Sequence, residues 1–286
     1  MHQIHIVNAF CHQGAGGNGA GVVIHADSLT HKEKMAIAAE VGLSETAFVS
    51  ASDTADYKIE YFTPVAEVEL CGHATIATFT LLHQQGLEPR AYTIETLSGI
   101  LQIEIEQDGT IWMQQCLPQF GETYGEEEFA TCLPNAHRQD RLPIQAVSTG
   151  LKDIIYPIAS KAELDSMRPD FESMAKTNER QGVVGIHAFA LTGENDPIAV
   201  CRNFAPRYGI DEESATGTSN CALACYLHKY YRKQTVYRFL QGESMGCTSA
   251  IEVRIEERDG TISAVYVGGR GNLVTRKDCR AGRTSL

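Results

Sequence analysis

The stretch LCGHATIATFTLLH, Leu70–His83, decides the fold. From His73 to His83 it reads as a helix that is apolar on nearly every face, and such a helix cannot lie on a surface; other elements must wrap it on all sides. The neighbouring segments that could do so read as strands. Residues 3–10 and 20–25 are apolar strands, 45–51 and 57–63 follow, and 91–96, 99–107 and 110–116 complete the set. The last two flank QDG, a hairpin turn signal. Between them only Leu29–Val41 has amphipathic helical spacing, with Lys and Glu on one side. The predicted unit is a curved sheet rolled around one central helix.

A second stretch, SATGTSNCALACYL at Ser214–Leu227, occupies the same place in the second half of the chain. YFTP at 61–64 has a counterpart in NFAP at 203–206, and IEIEQDGTIWM at 103–113 in VRIEERDGTISAV at 253–265. The offset grows smoothly, from 142 (Phe62 to Phe204) through 145 (Gly72 to Gly217) to 151 (Asp108 to Asp259), as a duplication with small insertions would make it. The expected architecture is therefore α+β, with two pseudo-symmetric domains: 1–117 plus 269–286, and 118–268. The Gly-, Pro-, Glu- and Asn-rich stretch 117–142 reads as a linker, and GNLVTR at 271–276 as a strand returning to the first domain.

With 286 residues, 43% of them hydrophobic, the chain can bury a substantial core. Its formal net charge of −12 repels phosphate backbones and argues against a nucleic-acid partner. No run approaches the roughly 18 apolar residues of a membrane helix, and the N-terminus does not read as a secretory signal. Nine cysteines, an odd number at irregular spacing, indicate reduced thiols. The expected location is the cytoplasm.

The first amides of a helix lack internal partners and carry the positive end of the peptide dipole, so they attract carboxylates and phosphates. Gly72 and Gly217 stand at the two helix starts, where a glycine lets a ligand approach the backbone. Two such seats facing one interdomain cleft would grip a small acid. The competing reading is that both glycines serve tight turns, with Thr216 or Thr218 as helix cap.

The motifs LSETAFV at 43–49, FTPVAEVELCGHATIA at 62–77, NFAPRYGIDEESATGTSNCALA at 203–224 and QGESMG at 241–246 resemble the PhzF-like phenazine-biosynthesis isomerase family of the diaminopimelate-epimerase-like superfamily. The resemblance spans nearly the whole chain in order. It implies the two-barrel fold, a homodimer and a cofactor-free isomerase with no metal, acting on a small carboxylic acid. The thiol epimerases of the superfamily use one cysteine from each half. Here the first position is Cys71 but its counterpart is Thr216, whose hydroxyl has too high a pKa, which disfavours a two-thiol mechanism. In the PhzF-like branch the resemblance makes Glu45 the general acid/base, with His73 and Glu213 orienting the substrate and Gly72, Gly217, Thr218 and Asn18 binding it. The family usually has Asp-Pro where this chain has Glu213-Ser214, a longer side chain that points to a different substrate. Cys71 is a candidate reactive thiol, since a helix start lowers thiol pKa. A cysteine-dependent amino-acid racemase and a non-catalytic acid-binding dimer are the alternatives.

GAGGNG at 14–19 matches a dinucleotide-binding pattern, but that chemistry needs a helix directly after it, and AGVVIHADS reads as a strand. Cys221 and Cys225, four apart on a buried helix, read as packing rather than metal ligands. His2, His5 and His12 have no ligand spacing.

Overall fold

In the computed structural model, which describes residues 2–279, the chain divides into two compact units, Met1–Gln114 with Gly268–Leu286, and Gln115–Val267. The first contains β1 (His2–Ala9), β2 (Asn18–Val23), α1 (His31–Val41), β3 (Thr46–Ser50), β4 (Tyr57–Phe62), β5 (Glu67–Val68), α2 (Gly72–Gln84), β6 (Ala91–Thr96), β7 (Gly99–Ile105) and β8 (Ile111–Gln115). The second contains β9 (Gln119–Tyr124), β10 (Ile144–Ser148), β11 (Lys152–Pro157), α3 (Lys161–Ser166), α4 (Phe171–Gln181), β12 (Ile186–Leu191), β13 (Ala199–Ala205), β14 (Ile210–Glu213), α5 (Gly217–Tyr230), β15 (Val236–Gln241), β16 (Ser249–Arg258) and β17 (Thr261–Gly269). Strand β18 (Asn272–Cys279) belongs to the first unit.

In the first unit β1 lies between β18 and β2, antiparallel to both. The sheet continues through the parallel pair β2–β3 and the antiparallel pairs β3–β4 and β4–β5. It then runs through the parallel pair β4–β6 to the antiparallel pairs β6–β7 and β7–β8. Helix α2 packs on β1, β2, β3 and β18, and every residue from His73 to Leu81 is buried. Burying side chains such as Ile76, Phe79 and Leu81 contributes about 1.5–3 kcal/mol each. Helix α1 makes the crossover between the parallel strands β2 and β3. Thr30 and Glu33 close its N-terminus as a capping box, and Gly42, in the left-handed region at φ 67°, ends it.

The second unit pairs β9–β10 and β10–β11 antiparallel, β11–β12 parallel, β12–β13 and β13–β14 antiparallel, β13–β15 parallel and β15–β16 antiparallel. Helix α5 packs on β10, β11, β12 and β16 and is buried from Ser219 to His228. A separate apolar core, which includes Phe129, Tyr156, Leu164, Met174 and Phe204, lies under α3 and α4.

The stretch 117–142 is not only a linker, because it contains β9. Its side chains are mostly exposed, so apolar alternation does not announce the strand. The backbone ladder to β10 holds it, with Gln145 Nε2 donating to Gly121 O at 2.9 Å and the Lys229 ammonium 4.1 Å from the centre of the Phe120 ring. Among the described residues no helix is long and apolar enough to cross a membrane.

Candidate active site

In the first unit the fold brings Glu45, Cys71 and His73 together. Glu45 immediately precedes β3, and its carbonyl accepts from Gly21 N–H of β2 at 3.1 Å. Gly21 is sterically required. A Cβ there would lie 2.6 Å from Thr46 Oγ1 and 3.0 Å from Thr46 Cγ2, so only glycine lets β2 approach β3 at this point. Cys71 is the N-cap residue of α2, in extended conformation, and His73 is its second helical residue.

His73 Nε2 lies 3.3 Å from Glu45 Oε2, with the histidine buried and the Glu45 side chain 18% exposed. Glu45 Oε2 itself is buried and has no aligned hydrogen-bond donor among the described residues. The contact is thus a close approach of charge-bearing groups, not a well-directed hydrogen bond. Cys71 Sγ sits 3.4 Å from His73 Nδ1 and 3.9 Å from Nε2. Burial pushes the His73 pKa below its ordinary value, and the Glu45 charge opposes that shift only in part. The imidazole is therefore neutral at neutral pH.

No side chain caps the start of α2. Thr75, a turn further on, bonds back to Cys71 O at 2.8 Å and meets the buried Tyr61 hydroxyl at 2.6 Å, which fixes this first turn. At Gly72 an added Cβ would meet no atom within 4 Å. That is space a ligand can use. Asn18 is half-buried at the first residue of β2, opposite Ala9. The preceding glycines Gly14, Gly16 and Gly17 all have positive φ, and the segment runs into β2 rather than a helix.

In the second unit Glu213, Thr216, Gly217 and Thr218 gather at the start of α5. Thr216 holds the N-cap position, yet no side chain caps this helix either. Its hydroxyl donates instead to Glu213 Oε2 at 2.6 Å. Two residues absent from the sequence expectations fix this corner. Gln241 Nε2 donates to Glu213 O at 2.8 Å and to Thr216 Oγ1 at 3.1 Å, and Asn220 Nδ2 donates to Gln241 Oε1 at 2.7 Å and Thr216 O at 2.9 Å. The available signal was that Gln241 opens the QGESMG motif while Asn220 follows Gly217 by less than one turn. The Thr218 carbonyl accepts from Thr149 Oγ1 at 3.0 Å. Cys221 and Cys225 are fully buried, and desolvation raises both thiols, Cys225 to about 12.

The mixed α+β fold with few helices is the diaminopimelate-epimerase-like fold. The model of the phenazine biosynthesis-like (PhzC-PhzF) family matches residues 7–277, and the chain belongs to that family. A Bacillus anthracis phenazine biosynthesis protein of the PhzF family has a solved structure similar to this chain at TM-score 0.89 and 30% identity, covering 96% of this chain and 97% of the other. A Deinococcus radiodurans protein named as an uncharacterized isomerase is 34% identical, over 88% of this chain and 86% of its own. The trans-2,3-dihydro-3-hydroxyanthranilate isomerase of Pseudomonas aeruginosa is 28% identical, over 95% of this chain and 96% of its own. The chain is accordingly an isomerase.

Proposed function

We propose that the protein moves a proton between two carbons of a small, unsaturated carboxylic acid, with Glu45 as the single acid/base group. The observation that carries this reading is the Glu45 carboxylate held against a buried, neutral His73 at an uncapped helix start. In the ionised form Glu45 takes a proton from a carbon next to the conjugated system. The electron pair spreads into the substrate's conjugated carboxylate, and the same carboxyl group returns the proton to a distal carbon. Atoms and charge balance with no oxidant or reductant. A positioned acid/base group of this kind contributes about 10²–10⁴-fold in rate.

The amides of Gly72 and His73 would hold the substrate carboxylate, where the α2 dipole also favours the charge that builds up on it. With the Cys71 thiol as donor to His73 Nδ1, the ring proton is carried by Nε2, the nitrogen 3.3 Å from Glu45 Oε2, though not aligned on it. Asn18 from the first unit, and Glu213, Gly217 and Thr218 from the second, are proposed as further substrate contacts in an interdomain cleft. The named substrate of the Pseudomonas aeruginosa relative supports a cyclic hydroxy or amino acid as the substrate class. Under the same reading the enzyme works without cofactor, as a homodimer, in the cytoplasm. Eight cysteines among the described residues stand in no disulfide, which suits a reducing compartment.

A panel of small cyclic carboxylic acids incubated with the protein in heavy water tests this reading. Deuterium incorporation by wild type but not by Glu45→Gln is the expected result, and equal incorporation by both removes Glu45 from the mechanism. The thiol–imidazole contact of Cys71 and His73 supports a second reading, a one-thiol epimerase. That reading requires the opposite pattern: activity lost in Cys71→Ala and kept in Glu45→Gln.

A further inference from the structure

We propose that Glu45, Cys71 and His73 form a binding site for Zn²⁺, and that zinc bound there blocks the isomerase. The inhibitory half rests on the acid/base reading above; the binding half does not. Among the described residues these three are a group whose ligand atoms, one from each, all lie within 4.8 Å of one another. Thiolate, imidazole and carboxylate are a zinc donor set, with bonds of about 2.3 Å to sulfur and about 2.0–2.2 Å to nitrogen and oxygen. Around a tetrahedral ion those bonds put neighbouring ligand atoms about 3.3–3.6 Å apart. His73 Nε2 and Glu45 Oε2 are 3.3 Å apart, and Cys71 Sγ is 3.9 Å from the same nitrogen. Zinc binding there requires Cys71 Sγ to move a few tenths of an ångström towards Nε2.

A second observation points to a cation independently of the spacing. Glu45 Oε2 is a buried carboxylate oxygen with no aligned donor, the kind of atom whose desolvation a metal ion offsets. The open side at Gly72, where a Cβ would touch nothing within 4 Å, leaves a fourth position for water. Binding takes the Cys71 thiolate, releasing its proton to solvent, and the Nε2 lone pair, with the ring proton on Nδ1. Glu45 and His73 are then both engaged on the metal, and neither can handle the substrate proton.

The test uses chelator-treated full-length protein with the exposed thiols Cys116 and Cys247 changed to serine, titrated with zinc in a calorimeter and with cobalt in a spectrophotometer. One saturable equivalent per chain and a thiolate-to-cobalt charge-transfer absorption are expected. Cys71→Ser should abolish the absorption, and Cys71→Ser and Glu45→Gln should each weaken zinc binding by about tenfold or more. Absence of a saturable equivalent, or an unchanged spectrum in Cys71→Ser, overturns the site. Solvent exchange by wild type that continues at saturating zinc overturns the inhibition while leaving the binding result intact. A protein that binds zinc but exchanges no deuterium with any acid of the panel overturns the acid/base reading on which the inhibition rests, not the site.

Discussion

His73 Nε2 stands 3.3 Å from Glu45 Oε2, although the two residues come from different elements, one inside α2 and the other on the approach to β3. Two local devices make the meeting: the left-handed Gly42 that ends α1, and the bare Gly21 that lets β3 lie close to β2. Replacing Glu45 by Gln keeps the shape and removes the base. The expected outcome is a loss of about 10²–10⁴-fold in solvent-deuterium exchange with substrate affinity nearly unchanged, measured by nuclear magnetic resonance and calorimetry.

The same contact predicts the acid side of the pH profile. Burial lowers the His73 pKa below 6.5, so the ring stays neutral as pH falls through that value and protonates only further down. Plotted against pH, kcat/KM should hold level from about 8 to 6.5 and fall only at more acid pH. A limb centred at 7 or above would show that the ring is charged in the working enzyme.

Gly21→Ala should cost about 1–3 kcal/mol of stability through overpacking against Thr46. Because the clash lies beside Glu45, activity should fall with it. Chemical denaturation of Gly21→Ala, Thr46→Ala and the double variant gives a cycle in which Thr46→Ala relieves much of the glycine penalty. Strict additivity would refute the steric account.

His187, in the second unit, is fully buried with Nδ1 3.0 Å from Asn203 Oδ1, and desolvation pulls its pKa down to about 4 despite the hydrogen bonds that oppose the shift. In the unfolded chain the ring takes a proton near 6.5, whereas the native state refuses it until about pH 4. Stability is therefore full above 6.5 and declines as pH falls to about 4, by about 3 kcal/mol from this group. Urea midpoints at pH 7.5 and 5 should converge in His187→Gln relative to wild type. An unchanged gap between the two pH values would assign the acid sensitivity to other groups.

The sequence made the central helices legible because burial on every face leaves no polar stripe, and α2 and α5 both show that pattern. It also placed Cys71 and His73 at a helix start. It could not place Glu45 against them, since that depends on a parallel pairing closed through a crossover, and no local pattern records which strands become neighbours. Strand β9 was missed because its side chains are mostly exposed and it is held chiefly by its backbone ladder to β10, so no apolar alternation marks it. Helix α4 lies in a stretch whose polarity hides its few buried positions, Met174, Thr177 and Asn178. The Thr216 hydroxyl illustrates a further limit: its position in sequence suggests a cap, while its partner, Glu213, is settled by the Gln241 and Asn220 side chains around it.

Strand β1 lies between β2 and β18, so its outer edge is satisfied by residues 272–279. On the ribosome that edge emerges more than 260 residues before its partner, which at about 5–20 residues per second is a delay of roughly 13–55 s. Throughout that interval an unpaired ladder is open to other nascent chains. Yield in the cell should therefore depend on chaperone supply and translation speed more steeply than equilibrium measurements on the finished protein would suggest.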